Sequence, residues 1–390
     1  MTTRSDQTPQ TGSEPPDPSL PFERVALVLQ GGGALGSYQA GVYQALDEAG
    51  IYPDWVAGIS IGAINSALIC GNPPELRVER LREFWHEVTR SPVGIPNFAL
   101  PLDDISHRMV NQMRAFNTLV FGQPGFFTPR FPSPLSAPAT HIDQLSFYDI
   151  TPIRNLLQRL VDFDYMNAAA PQMSVGAVNV QTGNFVYFDT KTHKIDVSHV
   201  LASGALPPGF PAVNVEGEYY WDGGLVSNTP LDWVLESHAR QDTLTFQVDL
   251  WNARGRLPSN LMEADLRQKE IRFSSRTRLV TDSFRQRQKV RRSLWQLLQE
   301  LPEDLAKSDL AQDLSDVADE KVYNIIQLIY RARDYEGTSK DFEFSRRTME
   351  EHWSAGYNDT VRTLRHPEVL QRPTSQDGFF TFDVAREGRF

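Results

Sequence analysis

Cysteine is almost absent, with one residue, Cys70, in a chain of 390. No intramolecular disulfide can form and no cysteine-built metal cage is available, which fits a reducing compartment. Long apolar runs are also missing. The most tempting membrane segment, Trp55 to Pro74, carries no formal charge, yet it contains three glycines, two serines, two asparagines and two prolines. That is the composition of a strand, a turn and a helix rather than of a membrane span. Residues 1–21 hold Asp6, Glu14, Asp17 and five prolines with no apolar stretch, so they lack a secretory signal's hydrophobic region and are expected to form a disordered leader. Positive charge is in deficit: 38 Lys and Arg against 49 Asp and Glu leave −11, which argues against a dedicated nucleic-acid binder. No internal repeat of solenoid length occurs. What remains is an ordinary globular composition, 40% apolar and 22% charged, with enough chain for a sizeable core.

The pattern along the chain is α/β. Arg24 to Leu29 is a short aliphatic run stopping at glycines, as in a strand buried on both faces of a parallel sheet. Tyr38, Val42, Leu46 and Ala49 then recur at helical spacing before Gly50. Trp55 to Ile59 is a second strand, Ala63 to Cys70 and Leu76 to Thr89 are helices, and Met173 to Val180, Asn184 to Asp189 and Leu244 to Leu250 are further strands. Gln181-Thr182-Gly183 joins the first two of these later strands as a hairpin. Residues 91–140 break the pattern with eight prolines and Phe98, Phe116, Phe121, Phe126, Phe127 and Phe131, and are expected to be a long connection acting as a flap or lid. Past Arg254 the sequence turns to long polar helical stretches at 258–300 and 320–365.

Three glycine-framed segments carry the chemistry. Gly31-Gly32-Gly33-Ala34-Leu35-Gly36 lies between strand and helix, where glycines let the backbone turn sharply and aim several N–H groups at one point. The anion held there could be a phosphate or the transient oxyanion of acyl transfer. Gly31, Gly33 and Gly36 also satisfy a dinucleotide fingerprint, with Asp54 downstream, so a nucleotide-dependent oxidoreductase is a rival. Against it, Asp54 precedes the second strand instead of ending it. Gly58-Ile59-Ser60-Ile61-Gly62 is a G-x-S-x-G elbow that exposes the Ser60 hydroxyl between strand and helix. Its alternative role is to cap the following helix. Asp222-Gly223-Gly224 frees the backbone around one carboxylate and makes Asp222 the better base for Ser60. His238, His352 and His366 are the histidines placed to complete a Ser–Asp–His order instead.

These segments, with Ala202-Ser203-Gly204-Ala205-Leu206-Pro207 and Phe210-Pro211, resemble the patatin-like phospholipase family over roughly residues 24–250. The resemblance implies a three-layer α/β/α domain with a mainly parallel central sheet over 22–253, followed at 254–390 by the α-helical C-terminal region of a bacterial subset, in which Asp334-Tyr335-Glu336-Gly337 also matches. It implies a lipid acyl hydrolase with a Ser60–Asp222 dyad, an oxyanion hole at Gly31, Gly32, Gly33 and Ala34, an elbow framed by Gly58 and Gly62, and an aspartate motif completed by Gly223 and Gly224. No metal and no cofactor is implied. One departure is Leu35, where many members carry Arg or Lys. A silent lipid- or protein-binding scaffold on the same fold is the alternative.

Two further expectations concern lipid. Leu201, Leu206, Phe210 and Val213, with the phenylalanines of 91–140, would form an acyl channel. Residues 267–292 hold ten Arg or Lys against Glu270 and Asp282, with Phe273, Val280 and Phe284, continued by Trp295 and Leu298, giving an approximate apolar face. That stretch could lie on anionic lipid, placing a cytoplasmic protein at the inner membrane face, or pair with the acidic remainder of the chain.

Overall fold

The computed structural model describes residues 20–91, 104–135, 141–168, 171–237, 240–274, 277–333 and 336–383. The expected leader lies almost wholly outside these residues, as do His238, Asp334, Tyr335 and parts of the 91–140 connection.

The chain begins with β1 (Arg24–Leu29), α1 (Ser37–Glu48), β2 (Trp55–Gly58), α2 (Ile61–Cys70) and α3 (Pro74–Val88). Next come α4 (Asp104–Phe121) and a small ribbon of β3 (Thr128–Pro129) with β4 (Tyr148–Asp149). Helices α5 (Thr151–Leu160) and α6 (Phe163–Ala168) lead to the hairpin of β5 (Gln172–Asn179) and β6 (Phe185–Asp189). Helix α7 (Val197–Ser203), the hairpin of β7 (Val213–Val215) and β8 (Glu218–Asp222), α8 (Leu231–Leu235) and β9 (Thr243–Asp249) follow. The rest of the chain supplies α9 (Leu261–Phe273), α10 (Thr277–Gln299), α11 (Glu303–Ala306), α12 (Asp309–Val317), β10 (Tyr323–Ile329), α13 (Arg346–Leu364) and β11 (Phe379–Phe382).

The nine-stranded central sheet has the order β11, β10, β9, β1, β2, β5, β8, β7, with β6 also paired on β5. From β11 to β5 the strands are parallel; β6, β7 and β8 join antiparallel. This is the expected α/β architecture. Its layering follows from the period-two alternation of β1. Val25, Leu27 and Leu29 enter the larger core with Tyr38, Leu46, Phe84 and Trp85. Ala26 and Val28 enter a smaller core with Leu231, Leu235 and Phe284. Helices α8 and α10 thus close the second face of the sheet.

The C-terminal region carries the expected helices and also extends the sheet. Strand β10 runs beside β9 from Thr243 opposite Tyr323 to Asp249 opposite Ile329. The surroundings of Tyr323–Ile329 are polar enough to read as helix, but the seven residues themselves are mostly apolar and buried, and they cover an edge of β9 that would otherwise be open. The connection 91–140 also departs from its reading as irregular chain. It contains α4, because no glycine or proline interrupts residues 104–121 while prolines cluster on both sides.

Helix α13 lies against α1 at unusually close range. A Cβ added at Gly41 would sit 1.9 Å from the Trp353 carbonyl oxygen, and one at Gly356 would sit 2.0 Å from that of Tyr38. Since α1 begins directly after the glycine loop, this contact ties the C-terminal region to the segment that positions the site.

Candidate active site

The parallel register sets Leu29 opposite Gly58, so the loops after β1 and β2 leave the same edge of the sheet. The Ile59 N–H donates to the Leu29 carbonyl at 3.1 Å, and the chain then turns through Ser60 at φ 56, ψ −120. Left-handed φ in a non-glycine residue is costly and is held by surrounding structure. The turn needs its flanking glycines. A Cβ on Gly58 would lie 2.3 Å from the Gly62 carbonyl oxygen, and one on Gly62 would lie 2.2 Å from that of Leu29. The Ser60 N–H is held by Ser203 Oγ at 3.0 Å. The Ser60 hydroxyl makes no capping bond to α2; it stands near enough to the Asp222 carboxylate to favour its ionised form.

Asp222 ends β8, opposite Ala177 on β5, and its N–H donates to the Ala205 carbonyl at 3.0 Å. The Gly224 N–H donates to Asp222 Oδ1 at 2.7 Å. Glycine is required at Gly223 because a Cβ there would meet the Gly176 carbonyl oxygen at 2.5 Å. With a relative exposure of 4%, Asp222 is desolvated, and burial pushes its pKa up to about 6 while the Gly224 N–H and the nearby Ser60 hydroxyl pull it down.

The glycine loop is pinned at both ends. The Gly31 N–H donates to the Asn228 carbonyl at 3.2 Å and the Ala34 N–H to the Asp341 carbonyl at 2.8 Å. Those two amides, included in the expected oxyanion hole, are therefore already engaged. Among the described residues no partner is found for the N–H groups of Gly32 and Gly33. Gly33 has φ +56, and a Cβ there would lie 2.2 Å from the Asp341 carbonyl oxygen. The Leu35 side chain is fully buried in the larger core, so the loop presents no cation at that position.

The other expected residues divide. His352 is buried, with Nε2 3.3 Å from Glu336 Oε2, and His366 faces Glu368 at 3.2 Å on the surface. Neither bonds to Ser60 or Asp222. Of the six connection phenylalanines, Phe126 and Phe127 pack on Phe210, with ring centroids 6.1 and 5.3 Å away. Phe98 lies outside the described residues, and Phe116, Phe121 and Phe131 are exposed. The basic stretch 267–292 divides between the two expectations: Ile271, Leu279 and Val290 are exposed, whereas other residues are engaged by the rest of the chain. Phe284 is buried against Tyr323 and Phe379, while Arg287 and Arg291 both pair with Glu236.

Several residues at the site carried weak sequence signals or none. Ser203 lies inside the segment Ala202–Pro207 without a role of its own, and Asn228 follows the aspartate motif by four residues. Gln30 accepts the Leu250 and Trp251 N–H groups at 2.7 and 2.8 Å. Trp251 donates Nε1–H to the Gly31 carbonyl at 3.0 Å. Asp341 is more than 300 positions from the loop it caps, a distance no local pattern bridges.

A serine lifted on a strand-to-helix turn, beside a buried aspartate and a glycine-rich backbone loop, has the geometry of a nucleophile elbow. A family model described as patatin-like phospholipase matches residues 27–235, and the chain belongs to that family. A second, described as patatin phospholipase, matches residues 271–376. Among curated proteins, the neuropathy target esterase sws of Drosophila melanogaster is 42% identical over 79 residues, 20% of this chain and 6% of that protein. The Drosophila sechellia protein gives the same identity over 20% of this chain and 5% of its own length. The match thus spans a small fraction of these relatives. Among solved structures, VipD from Legionella pneumophila is similar at 16% identity and a TM-score of 0.38, over 94% of this chain and 72% of that one. The human GIVD cytosolic phospholipase A2 is similar at 18% identity and a TM-score of 0.24, over 43% and 22% respectively.

Proposed function

We propose that this protein is a lipid acyl hydrolase that cleaves carboxylic esters of lipids through a Ser60–Asp222 dyad and an acyl-enzyme. One observation carries the reading: the strained elbow serine Ser60 stands beside a buried carboxylate, Asp222, whose pKa burial pushes up to about 6. An ordinary exposed aspartate is too weak a base to activate a serine, whereas a desolvated one is better matched to neutral pH. Ser60 gives its proton to Asp222 as Oγ attacks the ester carbonyl, and the electron pair moves onto the carbonyl oxygen. The N–H groups of Gly32 and Gly33 stabilise that oxyanion. Collapse expels the alcohol, which takes the proton from Asp222. Water then gives a proton to Asp222 as it attacks the acyl carbonyl, and the second collapse expels Ser60 Oγ, which takes that proton back from Asp222 as the fatty acid leaves. Membership of the patatin-like phospholipase family supports lipid as the substrate class.

The test is intact-mass analysis after treatment with a fluorophosphonate, on wild type, Ser60→Ala and Asp222→Asn, with ester hydrolysis followed on the same samples. One adduct on wild type, absent from Ser60→Ala, is expected together with turnover. A folded wild type that takes no adduct would be the silent scaffold, and the dyad would be discarded.

A further inference from the structure

Trp251 stands just beyond the end of β9, outside the three glycine-framed segments, yet it touches the loop at its most sensitive peptide. The Gly31 carbonyl accepts two bonds, from Trp251 Nε1 at 3.0 Å and from Asn228 Nδ2 at 3.0 Å. In a trans peptide the carbonyl of one residue and the N–H of the next point in opposite directions. Holding the Gly31 carbonyl therefore aims the Gly32 N–H to the other side, and the accepted bonds also polarise that peptide toward stronger donation. The indole presses on the loop directly: a Cβ on Gly32 would lie 3.2 Å from Trp251 Nε1.

The ring is held in turn by the C-terminal region. Phe273 of α9 packs on it at 5.7 Å between centroids. The Lys340 ammonium lies 5.1 Å and the Lys269 ammonium 5.6 Å from the ring centre, within the range of cation–π attraction. Lys340 is only 4% exposed and pairs with Glu270 at 2.8 Å. Lys269 pairs with Asp341 at 2.6 Å, the same residue whose backbone carbonyl caps Ala34. The two lysines thus reach the loop by two routes, through the indole and through Asp341.

We propose that Trp251, seated by Lys340 and Lys269, is a positioning residue that aims the Gly32 N–H at the developing oxyanion, so that residues 254–390 tune the oxyanion hole. The proposal rests on the hydrolase reading above. Removing an oxyanion donor outright typically lowers kcat by about 10²–10³; loosening its aim should lower it by about tenfold with little change in KM.

The experiment compares an oxygen ester with the matching thionoester. Sulfur is larger and a poorer acceptor, so a well-aimed hole prefers oxygen. Wild type should favour the oxygen ester, and Trp251→Phe, which keeps a ring and loses the donor, should narrow that preference by roughly fivefold or more. Partial unfolding would lower both rates together and leave the ratio unchanged. An unchanged ratio in folded Trp251→Phe, whatever its kcat, would overturn the proposal. Should Trp251→Phe fail to fold, benzothienylalanine at position 251 keeps the bicyclic shape without the N–H and is read in the same way. Failure of the hydrolase reading is separately visible, since wild type would then show no more turnover than Ser60→Ala.

Discussion

Ser60 stands beside an Asp222 carboxylate whose burial is offset by the Gly224 N–H and by Ser60 itself, and by no charged neighbour among the described residues. A base raised by burial, and not by a nearby charge, behaves in a recognisable way when pH and salt are varied.

Asp222 must be ionised to accept the serine proton, so kcat/KM should rise through an acid limb with a midpoint near 6. Hydrogen bonds are not screened by ions as charge pairs are. The midpoint should therefore hold between low and high sodium chloride. A pH–rate profile at both salt levels checks this, and a midpoint near 4 would mean that burial does not govern the base.

The same shift predicts a stability cost. A folded-state pKa raised from 3.8 to about 6 means that the native state binds the Asp222 proton more tightly than the unfolded chain does. Stability from this group is thus lost as pH rises from about 4 to about 6, by about 3 kcal/mol at most. Asp222→Asn should lower turnover by a thousandfold or more, yet be more stable than wild type at pH 7 and lose that advantage below pH 4. Denaturant titrations at the two pH values decide it.

Ser60 holds φ 56 without being glycine. Strain of this kind is worth about 1–3 kcal/mol, against which glycine loses about 0.5–1 kcal/mol of chain entropy. Ser60→Gly should be inactive and should melt at a higher temperature than wild type, as differential scanning calorimetry would report. A lower Tm would show that the contacts of the Ser60 side chain outweigh the relief of strain.

Gly356→Ala should separate α13 from α1, because its Cβ would enter the Tyr38 carbonyl; overpacking usually costs about 1–3 kcal/mol, with close backbone contact at the upper end or beyond. Gly217→Ala, where a Cβ meets nothing within 4 Å but φ is +93, should cost about 1–2 kcal/mol from backbone strain alone. Thermal melts of the two variants, with ester turnover measured beside them, test whether displacing α13 also weakens the site.

The segments that carry chemistry were legible because each depends on local backbone geometry. Gly58, Gly62 and Gly223 stand where a Cβ would strike a carbonyl oxygen within 2.5 Å, and such demands leave glycines at short spacing in the chain. Aliphatic runs such as Arg24–Leu29 likewise declared the parallel strands that carry those turns. The composition of 320–365 was misleading over Tyr323–Ile329, because a strand that closes a sheet edge is recognised by its neighbour β9 and not by its own flanks. In the basic stretch 267–292 the sequence shows Val280 and Phe284 as apolar, but not the sheet face that they cover.

The sequence by itself determined where Ser60, Asp222 and the glycine loop fall relative to strands and helices, since turns are dictated by residues a few positions apart. Only the tertiary structure decided which amides of that loop stay free, which carbonyl Trp251 grips, and that Asp341 closes the loop from the far end of the chain. Those contacts join residues separated by some 220 to 310 positions, and such pairings are chosen by the packing of the whole sheet, which leaves no local pattern to read.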